Sequence, residues 1–273
     1  MSDRYAVIGN PIGHSKSPQI QRMFAKAAGL EIDYTAIEGP LGKFAATVDA
    51  FRANGGRGMN VTAPFKLDAF AYATERSERA QSAGAVNAMK FEGDRVIAEN
   101  FDGVGLVRDI VHNLGRPLAG KRVLLLGAGG AARGALLPFL QQRPASLFIA
   151  NRTIDKAMKL AAEGKDHGRV IGGGYADLAD QDFDIVINAT SASLRGELPP
   201  VPYTAFGKEA LAYELVYGKG LTPFLRLAQN TGVKHLADGV GMFAEQAAEA
   251  FTWWKGVRPD TGGVIKQLSV PLV

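Results

Sequence analysis

The chain has no cysteine among its 273 residues. This absence excludes disulfide bonds, thiol nucleophiles and metal sites built on thiolates. The sequence opens with MSDRYAVIGN, which has no basic stretch followed by an apolar one and is unlike a secretory signal peptide. Both features are typical of proteins in the reducing cytoplasm, and we expect this protein to reside there.

The sequence also has no long apolar run and no block of like charge. Its most apolar stretch, residues 123–140, contains several glycines and Arg133, whereas a membrane-spanning helix needs about 20 mostly apolar residues. The net charge is +4, but lysine and arginine are dispersed among acids and do not form the basic stripe of a nucleic-acid-binding protein. The histidines show no metal-ligand spacing; they are His14, His112, His167 and His235. We therefore expect no membrane, nucleic-acid or metal partner.

Glycine is the residue type in clear excess. It occupies 33 of the 273 positions, a larger share than the usual one of about 7%. The glycines follow no three-residue period and do not cluster with proline, which excludes collagen and low-complexity linkers. In a well-patterned chain, extra glycine serves turns and places where the backbone approaches a ligand closely.

Short apolar segments alternate with amphipathic ones along most of the chain, a pattern typical of α/β proteins with parallel sheets. The predicted strands are 5–8, 34–37, 58–61, 86–91, 122–126, 146–150, 169–171, 184–188 and 210–215. The predicted helices include 17–28, 41–53, 65–73 and 241–255. We expect two domains: a substrate-binding α/β domain of residues 1–103 and 238–273, and a Rossmann-type dinucleotide-binding domain of residues 104–237.

The segment KRVLLLGAGGAARGALLPFL carries a dinucleotide-binding signature. An apolar strand is followed by Gly127, Gly129 and Gly130 and then by a helix-forming run, the context that such a loop requires. Gly127 permits the tight turn, and Gly129 lets backbone amides approach a pyrophosphate. Turn geometry alone also uses glycine in this way, but the flanking strand and helix favour cofactor binding.

The next predicted strand ends at Asn151, Arg152 and Thr153. NAD enzymes place an acidic residue at this point, about 20 residues after the loop, to bind the ribose hydroxyl. An arginine between neutral hydrogen-bonding side chains suits a 2′-phosphate instead. The sequence therefore favours NADP, although Arg152 alone is also compatible with a solvated residue at a helix start.

Three segments in the first third of the chain combine polar residues with turn formers at places where a strand should end: GNPIGHSKSP, GMNVTAPFK and ENFDG. The carboxyl ends of parallel strands form the ligand crevice of α/β domains, so these segments can share one site. Lys66 and Asp102 supply an ionisable pair there. Helix capping is the alternative role for Ser17 and Asp102, and an ordinary surface position is the alternative for Lys66.

These motifs, together with GAVN, LLLGAGGAARG, NRT, INATS, TPFL and DGVGMFAEQA, occur in the order and spacing of the shikimate dehydrogenase family, which the chain resembles over essentially its whole length. The resemblance implies NADPH-dependent, reversible reduction of 3-dehydroshikimate, a carboxylated cyclohexene polyol, in chorismate and aromatic amino acid biosynthesis. It implies Lys66 as general acid and base, with Asp102 orienting it.

The resemblance also assigns binding residues. The substrate is expected to contact Ser15, Ser17, Thr62, Asn87, Asp102, Tyr217 and Gln246. The cofactor is expected to contact Gly127, Ala128, Gly129, Gly130, Ala131, Asn151, Arg152, Thr153, Thr190 and Gly239. The sequence leaves the oligomeric state open between monomer and homodimer.

Several residues depart from the family pattern near the expected nicotinamide and substrate ring. Phe101 replaces a threonine, Ser193 a glycine and Leu194 a methionine; Glu214 stands where aspartate is frequent, and Lys219 replaces a proline. We expect Phe101 to have the largest effect, because a bulky ring there would narrow the substrate pocket. Two alternatives stay open: a paralogue acting on quinate or an aminoshikimate-type analogue, and a non-catalytic NADP-binding sensor.

Overall fold

The computed structural model describes residues 2–272, which form two six-stranded β-sheets. The strands are β1 Asp3–Gly9, β2 Ile32–Glu38, β3 Gly56–Val61, β4 Glu75–Arg76, β5 Ala88–Glu92, β6 Arg95–Glu99, β7 Arg122–Leu126, β8 Ser146–Ala150, β9 Val170–Gly173, β10 Phe183–Asn188, β11 Phe206–Glu214 and β12 His235–Asp238. The helices are α1 Ser17–Ala27, α2 Phe44–Ala53, α3 Lys66–Tyr72, α4 Glu78–Ala83, α5 Asp102–Arg108, α6 Gly130–Gln141, α7 Ile154–Gly164, α8 Pro223–Asn230, α9 Val240–Lys255 and α10 Gly262–Leu268.

The first sheet is mixed, with strand order β2-β1-β3-β5-β6-β4. Strands β2 and β3 flank β1 and run parallel to it, with Ile8 opposite both Ile37 and Val61. The three strands therefore end at one edge of the sheet. The loops after β1 and β3, which carry two of the polar segments, both leave the sheet at that edge.

The second sheet is entirely parallel, with order β12-β11-β10-β7-β8-β9. Its strand order reverses between β7 and β10, where a doubly wound sheet opens a crevice for ligands. The apolar residues of β7 are fully buried, since helices cover both faces. Leu136 and Phe139 of α6 pack on one face, and Phe224 and Leu225 of α8 on the other.

Two helices link the sheets. Helix α5 packs against both α6 and α9, and glycine makes these close crossings possible. A Cβ atom at Gly103 would lie 2.0 Å from the carbonyl oxygen of Gly134. The far end of α9 returns to the first sheet, where the Trp254 indole N–H donates to the Met89 carbonyl at 3.1 Å.

The predicted fold class is confirmed: the chain is a two-domain α/β protein with a Rossmann-type sheet. The predicted bounds of β7 and β8 agree with the structure, while β9 extends to Gly173. Strands β4, β6 and β12, which have two to five residues, were not predicted from the sequence. So short a strand shows too few alternations of apolar and polar residues to be recognised without its neighbours.

Candidate active site

A cavity of about 340 Å³ opens between the two sheets. The first sheet contributes the loops after β1 and β3, and the second contributes the segment after β11. Helix α9 closes one side. All seven residues predicted to contact the substrate line this cavity: Ser15, Ser17, Thr62, Asn87, Asp102, Tyr217 and Gln246. Lys66 lines it as well.

Lys66 and Asp102 form an ion pair in the cavity. Lys66 Nζ donates to Asp102 Oδ2 at 2.5 Å, and both side chains are partly shielded from solvent. The pair is positioned by two helix starts, because Lys66 begins α3 and Asp102 begins α5. The alternative capping role of Asp102 is not observed, because Phe101 occupies the N-cap position of α5. The Asp102 carboxylate binds Lys66, while its backbone N–H donates to the Asn100 side chain at 3.1 Å.

Asn87 fixes the opposite side of the Asp102 carboxylate. Its amide nitrogen donates to Asp102 Oδ1 at 2.8 Å and to Gln246 Oε1 at 3.3 Å. Its amide oxygen accepts the Phe101 backbone N–H at 2.8 Å. The Asn87 side chain is nearly buried, so its hydrogen bonds hold Asp102 in one orientation.

Ser15 and Ser17 lie at the amino-terminal end of α1. The Ser17 backbone N–H donates to Ser15 Oγ at 3.3 Å, and Pro18 occupies the first turn of the eleven-residue helix. Hydroxyls beside a helix start, where backbone N–H groups lack partners, favour an anion. This end of the cavity is suited to a carboxylate.

Tyr217 and Phe243 both line the cavity and stack on each other, with ring centroids 4.9 Å apart and planes 12° apart. Tyr217 follows β11 of the second sheet, whereas Phe243 belongs to α9. Burial raises the pKa of the Tyr217 hydroxyl, and the nearby charge of Asp238 raises it further. The tyrosine therefore stays a neutral hydrogen-bonding group at ordinary pH.

A second cavity, of about 480 Å³, lies at the crevice between β7 and β10. Gly127 has φ of +106°, and a Cβ there would lie 3.2 Å from the Ala189 carbonyl oxygen. A Cβ at Gly129 or Gly130 would meet nothing within 4 Å, so that backbone is open to a ligand. The glycine loop and the start of α6 thus fit the pyrophosphate of a dinucleotide.

The far end of this second cavity is basic. Asn151, Arg152 and Thr153 line it, as predicted for the adenosine phosphate, and so does Lys156. Lys156 was not predicted from the sequence; it lies in the first turn of α7, just after the NRT motif, and adds a second cation suited to a phosphate. Arg195 also lines the cavity and is paired with Glu197 at 2.7 Å. These residues fit NADP and its 2′-phosphate.

Two of the predicted cofactor residues do not line the second cavity. Gly239 lines the first cavity, beside Tyr217 and Gln246. Ala131 is half-buried in the first turn of α6 and is not among the residues that line the second cavity. The other predicted cofactor residues line the second cavity; they are Gly127, Ala128, Gly129, Gly130, Asn151, Arg152, Thr153 and Thr190.

The expected effect of Phe101 on the pocket is wrong. The ring is 4% exposed and packs with Ala88, Ala250 and Trp253, and Phe101 is not among the residues that line the cavity. Its centroid lies 5.7 Å from that of Trp253, in an edge-to-face contact. Only the backbone of Phe101 reaches the site, through its hydrogen bond to Asn87. The bulk of this side chain therefore does not limit the size of the substrate.

Among residues 2–272, no helix combines the length and the apolar character needed to cross a membrane. No group of three or more histidine or acidic side chains converges there as metal ligands do.

Three family models match the chain. They are described as the shikimate dehydrogenase substrate binding domain, over residues 7–89; shikimate / quinate 5-dehydrogenase, over residues 109–195; and the shikimate 5′-dehydrogenase C-terminal domain, over residues 239–268. Together they cover most of the chain.

Individual proteins match over nearly their full length. A shikimate dehydrogenase (NADP(+)) of Chromobacterium violaceum is 54% identical, with 98% of each chain covered. The crystal structure of an Ael1 enzyme from Pseudomonas putida is 62% identical, covers 100% of each chain and has a TM-score of 0.96. Shikimate 5-dehydrogenase from Thermus thermophilus, in complex with NADP(H) and shikimate, is 32% identical with a TM-score of 0.85 and 97% of each chain covered.

Proposed function

The chain belongs to the shikimate dehydrogenase family, and we propose that it catalyses the NADP-dependent, reversible reduction of 3-dehydroshikimate to shikimate. The observation that carries the proposal is the Lys66–Asp102 ion pair in a cavity that has an anion-binding end at α1. The basic second cavity beside it supports the choice of NADP. This reaction is a step of chorismate and aromatic amino acid biosynthesis.

Lys66 serves as the general acid in reduction and the general base in oxidation. When bound, NADPH supplies the hydride that reduces the ring ketone. As the carbonyl oxygen gains negative charge, the Lys66 ammonium donates a proton to it and yields the secondary alcohol. In the reverse direction, neutral Lys66 removes the hydroxyl proton. Asp102 orients Lys66 and stabilises its ammonium form.

The remaining side chains of the cavity orient the ring. Ser15 and Ser17 bind the carboxylate at the start of α1. Thr62, Asn87 and Gln246 bind hydroxyl groups of the substrate. Tyr217 covers the face of the substrate ring that is turned away from the first sheet. Holding the reacting oxygen next to Lys66 Nζ is the main contribution of these contacts to the rate.

The proposal includes the division of the chain into a substrate domain, residues 1–103 and 238–273, and a cofactor domain, residues 104–237. Each part contains one of the two sheets. The family models divide the chain in a similar way, and their bounds support this assignment. We also propose a cytoplasmic location, since the reaction consumes NADPH, and a monomer or homodimer.

Oxidation of quinate or an aminoshikimate-type analogue is the alternative within the family. One family model carries both shikimate and quinate in its description, which keeps this alternative open. A non-catalytic NADP-binding sensor is the alternative outside enzymes. Such a protein would not need the Lys66–Asp102 pair that the structure holds in place with Asn87.

Initial rates of NADP⁺ reduction distinguish these functions. Shikimate, quinate and an aminated analogue are offered separately with NADP⁺ and with NAD⁺, and NADPH or NADH formation is followed by absorbance. The proposal predicts the highest kcat/KM for shikimate with NADP⁺. A higher value for quinate or the analogue supports the paralogue, and binding of NADP⁺ without oxidation of any substrate supports the sensor.

A further inference from the structure

A buried carboxylate that the proposed mechanism does not use lies between the two cavities. Glu214 ends β11 and is 0% exposed. Its Oε2 atom accepts hydrogen bonds from the Asn188 amide at 2.9 Å, from the Thr222 hydroxyl at 3.2 Å and from the Ser193 hydroxyl. Its Oε1 atom accepts the Val216 backbone N–H at 3.2 Å. Burial raises the pKa of Glu214, and these four uncharged donors oppose that effect.

These hydrogen bonds join a wall of one cavity to a wall of the other. Asn188 Oδ1 accepts both the backbone N–H of Thr190, at 3.1 Å, and its hydroxyl, at 2.7 Å. Thr190 lines the cofactor cavity. On the other side, Val216 precedes Tyr217, which lines the substrate cavity. The Glu214 carboxylate therefore connects the two walls through hydrogen bonds.

Ser193 and Glu214 are two of the departures from the family pattern, which has glycine at the first position and frequently aspartate at the second. The structure brings these two residues into direct contact. Glycine has no hydroxyl to donate, and aspartate is one methylene shorter than glutamate. The two departures thus match each other: the longer acid reaches the hydroxyl that the serine supplies.

We propose that Ser193 and Glu214 form a positioning pair that fixes residues 189–195 against β11 and so sets the place of the nicotinamide end of the cofactor relative to Tyr217. Neither side chain lines the substrate cavity, so the pair acts through the loop. The effect on turnover rests on the proposed function, whereas the effect on NADP⁺ binding does not require turnover.

The test compares Ser193→Gly, Glu214→Asp and the double variant with the natural chain. Each single change removes or lengthens the Ser193–Glu214 hydrogen bond in a buried network, and we expect NADP⁺ to bind about five- to tenfold more weakly by calorimetry. The dissociation constant for shikimate, measured the same way, should change less than about twofold, since the residues that bind it are untouched. Glu209→Gln, an exposed change on the same strand, is the matched control and should leave NADP⁺ binding unchanged.

The double variant tests the pairing itself. If the two residues act as a pair, the double variant binds NADP⁺ no more weakly than the weaker single variant. Losses that multiply in the double variant overturn the pairing. Wild-type NADP⁺ affinity in both singles also overturns it, even where thermal unfolding shows a lower Tm, because that result assigns the network to stability alone.

Two further outcomes are decided by the same measurements. If Glu214→Asp does not fold, NADP⁺ binding is measured for Ser193→Gly and Ser193→Ala instead. Normal NADP⁺ binding in both variants overturns the proposal. If the natural chain binds NADP⁺ but does not oxidise shikimate, the proposed function fails. The NADP⁺ affinities of the variants still support or overturn the positioning pair in that case.

Discussion

Lys66 Nζ lies 2.5 Å from Asp102 Oδ2, and Asn87 holds the other oxygen of the same carboxylate at 2.8 Å. Lys66 follows β3, Asn87 precedes β5 and Asp102 follows β6, so three separate parts of the first sheet meet at this pair. Sheet pairing brings them together: the Asn87 backbone N–H donates to the Glu99 carbonyl, and its carbonyl accepts the Val61 N–H. The position of the proposed acid and base is therefore set by the sheet.

Removing the Arg152 guanidinium should weaken the binding of NADP⁺ more than the binding of NAD⁺. Arg152 lines the basic end of the cofactor cavity, where it would bind the 2′-phosphate that NAD⁺ lacks. For Arg152→Ala we expect the KM for NADP⁺ to rise about ten- to a hundredfold, with the KM for NAD⁺ nearly unchanged. Arg226→Ala, an exposed change on α8, is the control. Equal losses for both cofactors would remove Arg152 from phosphate recognition.

Truncating Phe101 should affect stability far more than substrate binding. The ring is buried against Trp253 and Ala250, and deleting a ring of this kind costs about 3–5 kcal/mol in the free energy of unfolding. For Phe101→Ala we expect a loss of this size in urea unfolding, with the KM for shikimate changed less than about threefold. Tyr203→Ala, at an exposed ring, should leave both unchanged. A large change in shikimate KM at unchanged stability would place the Phe101 ring in the pocket.

The crossing of α5 and α6 should not tolerate a side chain at Gly103. The added Cβ would lie 2.0 Å from the Gly134 carbonyl oxygen, so the helices must separate. We expect Gly103→Ala to lower the free energy of unfolding by about 1–3 kcal/mol. Gly263→Ala is the matched control: its Cβ meets nothing within 4 Å, and alanine favours α10 by up to about 1 kcal/mol. The account of this crossing fails if both variants are equally stable.

The Asp3–Lys255 ion pair should contribute to stability only at moderate and high pH. Lys255 Nζ lies 2.6 Å from Asp3 Oδ2, and this hydrogen bond lowers the pKa of Asp3, an effect that desolvation partly opposes. The pKa of Asp3 is lower in the folded protein than in the unfolded chain. The stabilisation by the ion pair is therefore fully present above the unfolded-state pKa of about 3.9, and it is lost as the pH falls through the folded-state pKa.

Thermal unfolding between about pH 3 and pH 7 checks this sign. Asp3→Asn and Lys255→Met should each have a lower Tm than the natural chain at neutral pH, and the difference should shrink on acidification. The double variant should resemble the singles, since both remove one interaction. A Tm difference that grows as the pH falls would contradict the assignment.

The sequence predicts best what depends on local patterns. The strand, glycine loop and helix at Gly127 are contiguous, so their geometry follows from adjacent residues. The resemblance to the family located Lys66 and Asp102, and the structure places both in one cavity. Lys156 was not predicted, because it lies outside the NRT motif and is separated from Arg152 by Thr153, Ile154 and Asp155.

Features that depend on packing between distant segments were not predictable. The motif NFDG does not determine which side of the chain the Phe101 ring faces; that is decided by Trp253, which lies on α9. The contact between Ser193 and Glu214 likewise depends on the pairing of β10 with β11. Sequence spacing carries no information on either contact.

The role of Lys66 in proton transfer is the central claim, and the turnover of Lys66→Ala tests it most directly. With saturating NADP⁺ and shikimate, we expect kcat to fall by about two to four orders of magnitude, while the dissociation constant of shikimate, from calorimetry, changes only a fewfold. Such a split is the signature of a group that acts in the transition state. Near-normal turnover in a folded Lys66→Ala variant would contradict the account.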